Sequence, residues 1–283
     1  MDEADGTRLL LTNDDGIDSP GFEALYDALS AVGEVIAVAP ADDRSAVGRA
    51  MSNDVTVREH ELGYAIHGTP ADCTVAGLES LCPDVDMVVS GCNKGANLGA
   101  YVLGRSGTVS AAVEAAFFDV PALAISQYVP EPTEGDWRDH ANDPADYELA
   151  ADVTQFLVEH AVGAGVFDQA DYLNVNAPWP SSESNPEPNP ESNPESNPDP
   201  TSMTITRPST MYDMTAERNG DTVRLHDRIW ERMGSGDIPD PVGTDRRAIV
   251  DGEISVSPLT APHTTRHHEA LDGLAEVYES PEL

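Results

Sequence analysis

The chain has 283 residues, 40% of them hydrophobic, and carries 51 acidic against 15 basic side chains, for a net charge of −36 and a pI near 4.1. Such a length and apolar content suit one large α/β domain, or one domain with an extension, and exclude disorder as the meaning of the acidity. So negative a surface argues against gripping polymeric nucleic acid or an anionic membrane, and no apolar run approaches a membrane span.

Leu9-Leu10-Leu11 reads as a buried strand that hands over to the turn Asn13-Asp14-Asp15-Gly16. Ser19-Pro20-Gly21-Phe22 reads as a helix start, with Ser19 as N-cap and Pro20 at the first helical position. Two adjacent carboxylates therefore sit on a strand-to-helix turn, the edge where open α/β sheets bind ligands. Like charges so close repel, and a divalent cation is the simplest compensation. An Asp-Asp-Gly turn open to water accounts for the same residues.

The pattern recurs. Val35 to Ala39 is an apolar strand followed by Pro40 to Ser45. After a small hairpin, Val55-Thr56-Val57 with Tyr64-Ala65-Ile66, Met87-Val88-Val89 runs into Ser90-Gly91-Cys92-Asn93-Lys94-Gly95-Ala96-Asn97-Leu98-Gly99. If the three strands are parallel, their loops meet at one sheet edge. Asp14, Asp15, a Ser and an Asn then make an all-oxygen site that suits Mg²⁺, Mn²⁺ or Ca²⁺ and not zinc.

Ser106-Gly107-Thr108 precedes the helix-like Val109 to Phe118, so backbone N–H groups, hydroxyls and a helix dipole converge as in a phosphate site. An ordinary N-cap uses the same residues. The loop matches neither the P-loop nor the dinucleotide fingerprint. Arg44, Arg49, Lys94 and Arg105 fall in or beside these loops, and Lys94 is the only lysine of the chain.

Further along, Pro121 to Ile125 and Tyr172 to Val175 read as buried strands. Asp143-Pro144 opens a helix through about His160, with Leu149, Val153, Phe156 and Leu157 on one face. Ser181 to Ser202 repeats Asn-Pro and Glu-Ser units and reads as a flexible insertion. Met203 to Arg207, Val223 to Trp230 and Ile254 to Leu259 suggest strands, and Glu269 to Tyr278 a short final helix. The expected division is a 1–180 α/β core, a 181–202 insertion and a 203–283 β-rich extension with a short final helix.

Cys73, Cys82 and Cys92 show no metal or redox spacing, so neutral thiols in a cytoplasmic protein without a secretory leader are expected, with Cys92 open to oxidation. His263, His267 and His268 lie in a polar stretch and read as surface residues. Abundant Asp and Glu with almost no lysine resembles proteins that work in molar salt.

Leu11-Thr12-Asn13-Asp14-Asp15-Gly16-Ile17-Asp18-Ser19-Pro20-Gly21 resembles the N-terminal signature of the SurE family of metal-dependent nucleotide phosphatases, and Val89 to Gly99 resembles its central glycine loop. Gly68-Thr69-Pro70-Ala71-Asp72-Cys73, Ser106 to Val109, Leu173-Asn174-Val175-Asn176, Gly243-Thr244-Asp245 and Ile254 to Leu259 follow in the family's order. The resemblance implies a doubly wound, mostly parallel Rossmann-like α/β fold. It implies one Mg²⁺ or Mn²⁺ per subunit on Asp14, Asp15, Ser45 and Asn93, and substrate contacts from Asn97, Ser106, Gly107 and Thr108. It also implies a homodimer or homotetramer. Two departures stand out: Pro40-Ala41-Asp42-Asp43-Arg44-Ser45 replaces the usual Pro-Asp-Arg-x-Arg-Ser, and Arg105 replaces an aromatic residue before Ser106.

The implied reaction is hydrolysis of a nucleoside 5′- or 3′-monophosphate to nucleoside and phosphate, extending to short polyphosphate. Asp14 or Asp15 is the candidate base toward water, and Arg105 adds a charge for the phosphate. Two alternatives remain. One is an aspartyl-phosphate route, which usually needs the Asp-x-Asp spacing absent here. The other is a metal-dependent nucleotide-binding protein with little turnover.

Overall fold

Leu9, Leu10 and Leu11 are fully buried, and consecutive strand side chains point to opposite faces, so β1 (Thr7–Thr12) must be covered on both sides. The computed structural model, which describes residues 6–130, 140–179, 201–261 and Glu269, shows what covers it. Parallel neighbours flank β1: β2 (Gly33–Pro40) places Val35 opposite Leu9, and β5 (Met87–Lys94) places Met87 there. On one face, Leu9 and Leu11 pack with Phe22, Leu25 and Leu29 of α1 (Pro20–Ser30) and Leu157 of α5 (Glu148–His160). On the other, Leu10 and Val88 pack with Cys73 of α2 (Pro70–Ala76) and with Val109 and Ala112 of α4 (Gly107–Phe117).

The sheet has nine strands. The hairpin β3 (Thr56–His60) and β4 (Gly63–His67) extends it beyond β2, while β6 (Ala122–Gln127) and β7 (Tyr172–Ala177) follow β5 in parallel. β11 (Ile254–Leu259) runs antiparallel to β7, and β8 (Met203–Ile205) closes that edge beside β11. The expected doubly wound, mostly parallel α/β architecture is present. β9 (Met214–Asn219) and β10 (Thr222–Asp227) form a separate antiparallel ribbon. Among the described residues, no helix is long and apolar enough to cross a membrane.

Several local expectations need correction. Ser19 is the N-cap of α1, but its hydroxyl accepts from Asn13 Nδ2 at 2.9 Å and makes no cap bond. Phe156, expected on the inner face of α5, is 49% exposed and stacks on His160, because the buried stripe runs through Ala150, Thr154 and Leu157. The expected strand Val223 to Trp230 stops at Asp227. Ile229 begins α6 (Ile229–Ser235), whose Ile229 and Met233, four residues apart, are buried together. β9 was not foreseen, since Met-Thr-Ala-Glu-Arg-Asn lacks an apolar alternation and takes its order from pairing with β10. The 181–200 insertion, the His263, His267 and His268 group and the helix beyond Glu269 lie outside the described residues.

Candidate active site

The chain passes from β1 to β2 on one side, then returns to β5 on the other, so strand order reverses around β1. At such a switch point, the loops beyond the carboxyl ends of neighbouring strands splay apart and leave a crevice. Thr12, the last residue of β1, pairs with Ser90, so Asp14 and Asp15 emerge beside the second half of β5. That half remains strand through Lys94, where the sequence suggested a loop. Its pairing with β6 shifts register between Ser90 and Asn93. Gly91, at φ 141°, lies so close to the Ile125 carbonyl that a Cβ would sit 2.4 Å from it. Glycine there permits the irregularity that re-aims Asn93.

Asp14 is 3% exposed and accepts from the Thr108 hydroxyl at 2.6 Å. Asp15 accepts from the Lys94 backbone N–H at 2.7 Å through Oδ2. Its Oδ1 lies 3.4 Å from the Ser45 hydroxyl, whose proton is better aimed at Asp43, 2.6 Å away. Asn93 Nδ2 donates to the Gly95 carbonyl, so Oδ1 is the atom left to act as a ligand. Burial pushes both Asp14 and Asp15 above the usual carboxylate range; the charge of Asp14 adds to the effect on Asp15, and that of Asp43 adds to both.

A buried and a half-buried carboxylate, a hydroxyl and an amide oxygen are hard donors, and a divalent cation would relieve the repulsion between the two carboxylates. The set fits Mg²⁺ or Mn²⁺, which use one or two carboxylates and keep several waters. Among the described residues, no group of three or more His, Cys, Asp or Glu is disposed to hold a metal, which leaves no zinc-type cage.

A cavity of about 350 Å³ opens here. Of the residues expected at the site, Asp14, Ser45, Asn93, Asn97, Arg105 and Ser106 line it. Asp15, Gly107 and Thr108 are not in the lining. The Thr108 hydroxyl, expected to face a phosphate, instead orients Asp14. Ser106 caps α4 by accepting from the Val109 N–H at 3.1 Å and also lines the cavity.

Asn97 is clamped on every polar atom but one. Its N–H donates to Asn176 Oδ1 at 2.8 Å, its carbonyl accepts from Asn174 and Asn176, and its Nδ2 donates to Ser126 Oγ at 3.0 Å. Asp245 accepts from the Gly99 N–H at 2.6 Å, and the buried guanidinium of Arg246 donates to the Leu98 carbonyl. The 173–176 and 243–245 motifs were thus visible in the sequence, but their role was not, because their partners in the glycine loop lie 77 to 146 residues away. Ser126, Tyr128 and Trp230 were missed as site residues, and Asp43 was noted only as part of an altered loop, not as the partner of Ser45.

The four cations diverge. Arg44 is exposed, and Arg49 pairs with Glu114 at 2.6 Å beside Phe117. Lys94 lines the cavity with its Nζ donating to Asn142 at 2.8 Å. Arg105 also lines it, its guanidinium held 4.3 Å over the Tyr101 ring. Cys92, expected to be open to oxidation, is fully buried, and burial pushes its thiol well above the ordinary range.

A family model described as Survival protein SurE matches residues 9–207. The chain is 61% identical over 278 residues to the 5′-nucleotidase SurE of Haloarcula marismortui, with 97% of this chain and 96% of the relative covered. It is 36% identical over 277 residues to the 5′-nucleotidase SurE of Syntrophotalea carbinolica, covering 95% and 98%. The crystal structure of the SurE protein from Aquifex aeolicus matches with a TM-score of 0.69 at 26% identity, covering 95% of this chain and 98% of that one.

Proposed function

This chain belongs to the SurE family, and on that premise we propose that its site hydrolyses nucleoside 5′-monophosphates to nucleoside and phosphate. Relatives 58% to 61% identical over nearly the whole chain are named for that activity. The observation that carries the reading is buried Asp14, with half-buried Asp15 beside it at the strand-order reversal, lining a cavity large enough for a nucleotide. The reading extends to 3′-monophosphates and short polyphosphate.

We assign Asp14, Asp15, Ser45 and Asn93 to hold one Mg²⁺ or Mn²⁺. When bound, the cation supplies positive charge that neutralises the phosphoryl oxygens and acidifies the attacking water. The protein's part is orientation. Thr108 fixes Asp14, the Lys94 N–H fixes Asp15, and Asp43 fixes Ser45. Asn97, locked through its backbone by Asn174 and Asn176, spends one of its two Nδ2 protons on Ser126 and keeps the other for a phosphate oxygen, with Ser106 and Arg105 on the same cavity wall. Asp14 or Asp15 takes the proton of the attacking water. A cytoplasmic compartment is proposed on three buried free thiols. A homodimer or homotetramer is proposed on the exposed apolar side chains Ile205 and Leu225.

The test is phosphate release from nucleoside monophosphates and polyphosphate in molar KCl, with Mg²⁺ or Mn²⁺ and with a chelator. Release that the chelator abolishes is expected. A folded protein that releases phosphate from none of these substrates overturns the reading.

Gly107 offers a sharper probe of orientation. A Cβ there would lie 2.7 Å from Asp14 Cβ and 3.0 Å from Pro70 Cγ, so Gly107→Ala must push Asp14 aside. Displacement of about 1 Å at such a site costs roughly a hundredfold in rate. Steady-state kinetics should show that loss with circular dichroism unchanged.

Arg105→Tyr removes a guanidinium that lines the cavity beside Ser106. Loss of a charge-assisted contact predicts a KM for nucleoside monophosphates raised roughly tenfold. An added aromatic ring should at the same time sharpen the preference among nucleobases. Unchanged KM and unchanged ratios among the four common monophosphates would make Arg105 a bystander.

A further inference from the structure

The polar residues account for only part of the cavity wall. Val102, Tyr128, Val129 and Trp230 make up an apolar, aromatic part that a phosphate and a hydrated cation do not need. Trp230 reaches the site from α6, on the far side of the sequence from the loops that carry the carboxylates. Tyr128 follows β6 directly, its N–H bonded to the Ala177 carbonyl at 2.9 Å.

Both rings are backed by the same small core of Leu98, Met233, Ile238 and Ile249. They are partly buried, so each shows the cavity a surface that the core behind it holds in place. Leu98 adjoins Asn97, so the core that seats the rings also seats the clamped glycine loop. Rigid aromatic planes beside a phosphate site are what a heterocyclic base stacks on. Tyr101, the other aromatic nearby, is outside the lining and already stacked, on Tyr212 at 5.2 Å and under Arg105. Arg105, which precedes Ser106, brings no aromatic surface to the lining.

We propose that Trp230 and Tyr128 form the nucleoside subsite, with the base stacking on the Trp230 indole while the phosphate lies at Asp14, Asn97 and Ser106. The assignment rests on the phosphatase reading of the same cavity and adds the group that selects nucleotides over other phosphomonoesters. Purines, with the larger ring system, gain more from the indole than pyrimidines do.

The experiment compares kcat/KM for AMP and for ribose 5-phosphate, which has the phosphate and sugar but no base, in wild type, Trp230→Ala and Trp230→Phe, all in molar KCl with Mg²⁺. Loss of one base–aromatic stack predicts a fall of about tenfold or more for AMP in Trp230→Ala. Ribose 5-phosphate should change less than about twofold on the same principle, and Trp230→Phe should recover most of the AMP activity. An equal fall for both substrates, or an unchanged ratio, overturns the subsite. Adenosine binding, measured by calorimetry in wild type and Trp230→Ala, separates this proposal from the reaction assigned above. If wild type releases phosphate from neither substrate, the phosphatase reading fails. Adenosine binding that Trp230→Ala abolishes would then still support the subsite, and binding that is absent from wild type or survives the substitution overturns it.

Discussion

Asp14→Asn should abolish phosphate release, by roughly a thousandfold or more at saturating Mg²⁺, while leaving the fold intact. The change is isosteric, so the Thr108 hydroxyl keeps an oxygen to donate to and Gly107 keeps its close contact. What disappears is the charge: one of two anions proposed to hold the cation. The same substitution should not weaken the metal-free protein. Burial, with Asp43 nearby, raises the Asp14 carboxyl above its usual range, and burial with the Asp14 charge does the same for Asp15. A carboxyl raised by folding favours the native state while protonated. It costs stability as pH rises from the unfolded value through the folded one. Above neutral pH in chelator, Asp14→Asn should therefore melt at or above the wild-type temperature. Near wild-type turnover would remove Asp14 from the proposed site. Loss of activity together with a large drop in melting temperature at neutral pH would mean that its role is structural.

Lowering KCl from molar to a few millimolar should unfold the wild-type protein at temperatures where it is stable in high salt. The chain carries 51 acidic residues against 15 basic ones. Screening length grows from about 3 Å at 1 M to about 30 Å at 0.01 M, so surface acids that ignore one another in strong salt repel across the molecule in weak salt. Few local pairs oppose this. Several basic residues donate to backbone carbonyls in fixed structural roles, as Arg246 does to the Leu98 and Met211 carbonyls. Thermal melts followed by circular dichroism across a KCl series decide the matter. A melting temperature that is flat across the series would separate the acidity from any salt requirement and leave the site untouched.

The strand-to-loop handovers were legible in the sequence because they depend on neighbours. Leu9 to Leu11, Val35 to Ala39 and Met87 to Val89 are apolar runs that read as buried strands, and each is followed by polar or glycine-rich residues, although β5 continues as strand through Lys94. From those three runs the parallel sheet and the edge bearing Asp14, Asp15, Ser45 and Asn93 followed, since parallel strands bring their carboxyl ends together. Tertiary structure alone decided which atoms of those residues are free for chemistry. Thr108 turns to Asp14 across 94 residues, Asn97 is locked by Asn174 and Asn176 across 77 and 79, and Gly99 is tied to Asp245 across 146. Trp230, read as the end of a strand, instead lies in the first turn of α6 and lines the cavity. A sequence pattern records the propensity of a segment and which of its faces is apolar. The direction a polar side chain takes is set by the partner that best satisfies its hydrogen bonds once burial removes water, and that partner is chosen by the fold.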